Sequence, residues 1–170
     1  RTDDVSIVSP TAQAGLLQTS HVVFFDLQFS AARLRAALPP ELEPADNHQA
    51  FLLIFTADYP EADPARSGAF LGVYLKGRDA PDGSPGIFVT DGLYDYDLDV
   101  ARAYTTRFEA GAAEISIAGD DVTGRLDAAN GPAIEFALRV RRNERVLNMG
   151  THQYFGLRLG GLNTYSIAFA

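Results

Sequence analysis

The chain is cut into short runs rich in β-branched and aromatic residues, with Gly, Pro and Asp standing between them. SHVVFFDLQF (20–29), QAFLLIFTA (49–57), AFLGVYLKG (69–77) and IFVTDGLY (87–94) are four such runs. AEISIAG, DVTGRLDA, AIEFALRVRR, THQYFGLRLG and NTYSIAFA follow after Gly111. Runs of this length and make-up, bounded by turn residues, are strands. The strict alternation in AEISIA and AIEFALRV fits half-buried antiparallel strands. Two stretches break the pattern. Ser30 is placed to cap AARLRAAL, with Leu34 and Leu38 on one face and Pro39-Pro40 as a stop. Asp97 is placed to cap a second helix, LDVARAYTTRF (98–108), with Asp99 in its first turn.

Eight or nine strands and two short helices make a mostly β, α+β domain. The expected architecture is an antiparallel sheet curled toward a barrel or cone around a central cavity. The 170 residues are read as a single domain, 1–170, with 1–19 as an N-terminal arm. The start on Arg1 rather than Met raises the expectation of a removed leader or tag. RTDDVSIVSP has no basic stretch leading into an apolar one, as a signal peptide would.

Composition removes several functions. No apolar run reaches the length that spans a bilayer, so no membrane partner is expected. A net charge of −8 leaves few cations to displace counterions from phosphates, so no nucleic-acid partner is expected. Arg139, Arg141, Arg142 and Arg145 are the exception and read as a solvated strand end and turn. The absence of Cys excludes disulfides and thiolate chemistry and suits the cytoplasm. His21, His48 and His152 lie too far apart for a metal motif. Nucleophile-elbow, P-loop and dinucleotide fingerprints are missing, so serine hydrolysis, phosphoryl transfer and nicotinamide binding have no support, and no cofactor is expected. Lys76 is the single lysine, at the end of a strand before a turn, where a solvated side chain is the plain reading.

The order of FSAARLRAALPPELEP, ADYPEAD, SGAFLGVYLKG and GIFVTDGLYDYDLDVARAY resembles the acetoacetate decarboxylase family over roughly residues 20–126. The likeness fades beyond Ala133, and the chain is shorter than is usual in that family. The resemblance implies a cone-like barrel with a pocket in its mouth. It also implies a lysine pair, one member forming a Schiff base with a β-keto acid, the other lowering its pKa. At the matching stretch this chain reads TTRFEAG, which puts Glu109 and Ala110 at the pair, to within one position, with Arg107 nearby. Arginine stays protonated and cannot serve as an amine nucleophile. The family's acidic residue before Ser-Gly is replaced by Arg66. Decarboxylation through an imine is therefore not expected.

The expected alternative is acid/base chemistry on an apolar, carbonyl-bearing, polyketide-like small molecule: cyclisation, isomerisation or dehydration, helped by the shape of the pocket. Glu109 is the candidate acid/base, and Arg66 or Arg107 the candidate holder of a carboxylate or oxyanion. Tyr94 or Tyr96, in DGLYDYDLD, and the pair His152 and Tyr154, alternating on one strand, are candidate pocket donors. DGLYDYDLD is not an EF-hand loop, since counting from Asp95 puts Val100 and Thr106 where Gly and Glu are required. Two other readings remain open: a small-molecule carrier with a β-barrel cavity, and an assembly role with homo-oligomers formed through strand edges.

Overall fold

A computed structural model describes residues 18–58, 66–95, 107–139, 150–158 and 161–169. They form β1 (Gln18–Gln28), α1 (Ala31–Ala37), β2 (Gln49–Asp58), β3 (Arg66–Tyr74), β4 (Ile87–Tyr94) and β5 (Arg107–Ala118). β6 (Asp121–Ala128), β7 (Gly131–Arg139), β8 (Gly150–Arg158) and β9 (Gly161–Phe169) follow. All nine strands join one sheet, in which β1 to β7 are neighbours in chain order and curl into a half-barrel.

β1 through β4 form an antiparallel meander, and so do β5 through β7. The joint between them is parallel: Leu93 of β4 pairs with Glu109 of β5, and Tyr94 with Ala110. β8 also runs parallel to β4, with Ile87 opposite Tyr154. The expected curled, largely antiparallel sheet is found, and it carries parallel joints at these two places. Alternating hydrophobicity reports which residues share a face but not the direction of the neighbouring strand. A connection of a dozen residues, such as the one between β4 and β5, suffices for a parallel return.

One helix is found among the described residues, where two were expected. In α1 the Ser30 side chain accepts from the Arg33 N–H, Leu34 and Leu38 are buried, and the helix ends before Pro39. Arg35 then donates to the carbonyls of Pro40, at 2.8 Å, and Leu42, which pins the Pro-rich exit. Most of the expected second helix lies outside the described residues. Its last two positions, Arg107 and Phe108, begin strand β5 instead.

Register sorts the side chains of β1–β4 onto two faces. The first presents Leu27, Ala50, Leu52, Ile54, Ala69, Val73, Phe88 and Leu93. At one end it packs on Leu34, Leu38, Leu42, Leu75 and Phe155, from α1, the segments beside it and β8. At the other it packs on Ala113, Ile115, Leu126, Ile134 and Phe136 of β5–β7. This is the covered face. The second presents Val22, Phe24, Asp26, Phe51, Leu53, Phe55, Phe70, Tyr74, Ile87, Val89 and Tyr94.

Candidate functional site on the aromatic face

The second face is a sheet of rings. Phe51 is its centre, buried and ringed by Phe24 at 4.7 Å, Tyr74 at 5.3 Å and Phe70 at 5.7 Å between ring centroids. Toward the other end of the strands, Tyr94 packs on Phe55 at 6.3 Å. Two glycines of β3 allow this. A Cβ on Gly72 would come within 2.5 Å of the Phe51 ring, and one on Gly68 within 2.7 Å of the Tyr94 ring. The rings lie where β3 carries no side chain, so the face is paved alternately with glycine and aromatic residues along SGAFLGVY.

Tyr94 reaches this face through a β-bulge. The register of β3 against β4 shifts between Leu71 and Gly72, so Leu71 opposes Asp91 and Gly72 opposes Val89. Thr90 is the extra residue; it is buried and its hydroxyl donates to the Leu71 carbonyl at 3.3 Å. The bulge reverses the parity of the strand. Ile87 and Val89 are on the aromatic face before it, Gly92 and Tyr94 after it. Past Tyr94 the chain is pinned. The Ser67 N–H lies 2.8 Å from both carboxylate oxygens of Asp95, and the Ser67 hydroxyl donates to Oδ2 at 2.8 Å. The Ala113 N–H in turn donates to the Ser67 hydroxyl at 2.8 Å, so one serine ties β3, β4 and β5 together.

The residues singled out from the sequence fall into separate groups. Arg66 pairs with Ala57 and by parity shares the aromatic face with Gly68 and Tyr94; it is half-buried. Glu109 and Arg107 are in register with Leu93 and Asp91, the other set, and both are exposed. Arg107 makes a surface ion pair with Asp91, Nε to Oδ1 at 2.9 Å. Glu109 and Arg66 are therefore not brought together. Of the two positions matched to the lysine pair, Ala110 is the one opposite Tyr94. Tyr96 lies outside the described residues. His152 and Tyr154 are placed by strand register alone, opposite Ile167 and Tyr165 of β9.

Lys76 is held by Asp46, Nζ to Oδ1 at 2.7 Å, and both side chains are exposed. The hydrogen bond and charge of Asp46 push its ammonium above the usual lysine range. An imine-forming amine needs the opposite shift. Tyr74 was not singled out from the sequence. Burial, and then the charge of Asp26, push its phenol above the ordinary value. Asp26 belongs to the same face, two residues from Phe24 and opposite Phe51. The signal for it was an acid at an alternating position inside an aromatic strand, FFDLQ.

An open groove of about 560 Å³ lies elsewhere, on β5–β7, lined by Glu114, Arg125, Glu135 and Phe136 among others. Arg125 crosses it to Asp127 at 2.7 Å and Glu135 at 3.9 Å, as solvated ion pairs do. None of the sequence-derived candidates lines it. Among the described residues no His, Cys, Asp and Glu cluster is placed to hold a metal, and no helix is long and apolar enough to cross a membrane.

No family model and no curated protein matches the sequence. Solved structures do match. An acetoacetate decarboxylase from Legionella pneumophila superposes with a TM-score of 0.63 at 10 % identity, over 82 % of this chain and 57 % of that one. An acetoacetate decarboxylase-like enzyme from Sphingomonas wittichii RW1 gives 0.59 at 16 %, over 86 % and 69 %. The enduracididine biosynthesis enzyme MppR complexed with pyruvate gives 0.57 at 15 %, over 86 % and 66 %. The chain thus spans little more than half the length of the decarboxylase.

Proposed function

Starting from the acetoacetate decarboxylase-like fold that this chain has, we propose that it is a small-molecule enzyme working without a Schiff base. Its substrate is an apolar, carbonyl-bearing compound of the polyketide kind. The reaction is a cyclisation, isomerisation or dehydration driven by proton transfer and by the fold the substrate adopts against the rings. The observation that carries this reading is the register of β4 and β5. Tyr94 and Ala110 stand side by side, and Arg66 shares their face at its rim. An alanine thus occupies a position that the family resemblance assigns to the amine pair.

Within this reading the Tyr94 phenol donates to the substrate carbonyl, and the Arg66 guanidinium stabilises the enolate oxygen that develops there. Glu109 and Arg107 belong to the other set of β5 side chains, and Arg107 is engaged by Asp91, so this reading gives them no contact with the substrate on the aromatic face. His152, Tyr154 and Tyr96 are kept in this reading as candidate donors to the substrate, on the sequence argument alone. The alternative is a carrier that binds such molecules without converting them, favoured by the predominance of rings over polar groups on this face.

The test is a conversion assay on apolar β-dicarbonyl compounds, read by mass spectrometry, with and without borohydride. Enzyme treated with borohydride in the presence of substrate and then desalted should keep its activity, with the protein mass unchanged. Tyr94→Phe should slow it about a hundredfold, the usual worth of a positioned proton donor. Glu109→Gln shows whether β5 shares in proton transfer. A reduced adduct on Lys76 sinks the imine-free mechanism, and saturable binding without any conversion assigns the carrier role.

A further inference from the structure

The described part of the aromatic face holds two charged side chains, Asp26 and Arg66. They lie at opposite corners. From the rung of Asp26 and Phe51 to that of Ala57 and Arg66 is six residues along β2, about 20 Å at the usual strand rise. They cannot neutralise each other. None of the ion pairs among the described residues engages Asp26.

The Asp26 corner is also where the rings are open. Phe24 is 46 % exposed and Val22 50 %, whereas Phe51 beneath is 1 % exposed. Phe24 stacks on Phe51 at 17°, so one of its faces is taken and the other is free. Phe24 and Asp26 are two residues apart on one strand face, which sets the free ring face and the carboxylate about 7 Å apart at the backbone. The face of an aromatic ring is electron-rich and attracts cations. A carboxylate beside it adds charge of the same sign. Asp26 also raises the Tyr74 phenol, so its field reaches the middle of the cluster. A neutral apolar ligand gains nothing from Asp26, and an anion is repelled by it.

We propose that the corner formed by Asp26 and Phe24, backed by Phe51 and Tyr74, is a subsite for a small organic cation. The positive group sits between the Asp26 carboxylate and the open face of Phe24. The substrate of this protein is then an amine-bearing molecule whose apolar body lies along the rings toward Phe70. This rests on the reading that the aromatic face takes a small molecule, and it adds the charge of that molecule.

Three probes that share a phenethyl body and differ in charge decide it: phenethylammonium, phenethyl alcohol and hydrocinnamate, titrated calorimetrically into the full chain near neutral pH. The cation should bind most tightly and hydrocinnamate most weakly. Asp26→Asn should loosen the cation about two- to fivefold, the range of an exposed charge pair, and leave the alcohol unchanged. Phe24→Leu keeps the apolar area but not the ring, and should loosen the cation about two- to fivefold as well. Saturable binding of all three with equal strength overturns the cation subsite and leaves the small-molecule reading intact. No saturable binding by any probe overturns both. If sedimentation shows a dimer that Phe24→Asp dissociates, the corner belongs to a second copy of the chain and the subsite is likewise overturned.

Discussion

The two faces of β1–β4 are built from the same four strands yet differ in what fills them. The covered face is largely aliphatic and closed at both ends, by α1 and by β5–β7. The aromatic face keeps one fully buried ring, Phe51, and leaves Phe24 and Val22 half exposed. Dense packing on one side holds the sheet; the other side is open along β1, at Val22, Phe24 and Asp26, while Phe51, Ile87, Val89 and Tyr94 stay buried. The largest expected effect tests that division. Phe88→Ala empties a fully buried site on the covered face and should cost about 3–5 kcal/mol. Phe24→Ala, on the open rim of the other face, should cost about 1 kcal/mol, the worth of one aromatic pair. Urea unfolding of both variants measures the contrast. Similar losses in the two would show that the aromatic face is core as well.

A medium effect tests the seam where the faces are set relative to one another. The buried Ser67 hydroxyl accepts from the Ala113 N–H and donates to Asp95. Ser67→Ala leaves that amide without its partner, at a cost of about 1–3 kcal/mol. Amide exchange should quicken first at Ala113, on β5, while β6 and β7 keep their protection. Uniform loss across the sheet would mean that the serine holds no special place in the seam.

Much of the covered face is legible in the amino-acid sequence. Ser30, Leu34, Leu38 and Pro39 mark α1 from start to stop, and IFVTDGLY gives the bounds of β4 residue for residue. Local signals suffice there because capping and proline stops act within a turn. The aromatic face is less legible, and Thr90 is the reason. Every residue of β4 except Asp91 is buried, so the strand shows no alternation from which to read a bulge. Without the bulge Tyr94 would be assigned to the covered face and Glu109 to the aromatic one. The stretch ARAYTTRF misleads in a second way. Its Ala and Arg residues favour a helix, but Arg107 and Phe108 are drawn into pairing with Asp91 and Gly92, a long-range contact that propensity does not contain. DGLYDYDLD reads as a solvated acidic turn, yet Asp95 bonds Ser67, which lies far from it in the chain.

The smallest expected effect is alkaline and concerns the aromatic face alone. Tyr74 is kept neutral by burial and by Asp26, so its folded value lies above the 10.0 of the unfolded chain. For an acid shifted upward the unfolded state loses its proton first. The stabilisation is complete below pH 10.0 and drains away as the pH rises through the folded value. Tyr74→Phe removes that component. The stability difference between wild type and variant should be constant from pH 7 to about 9 and then shift in favour of the variant in the alkaline range. Asp26→Asn should reproduce a smaller part of the shift, because burial is the larger cause and remains. A wild-type curve that parallels Tyr74→Phe through the whole alkaline range would place the Tyr74 phenol in water. The contrast between a closed face and a ring-paved one would then stop short of β3.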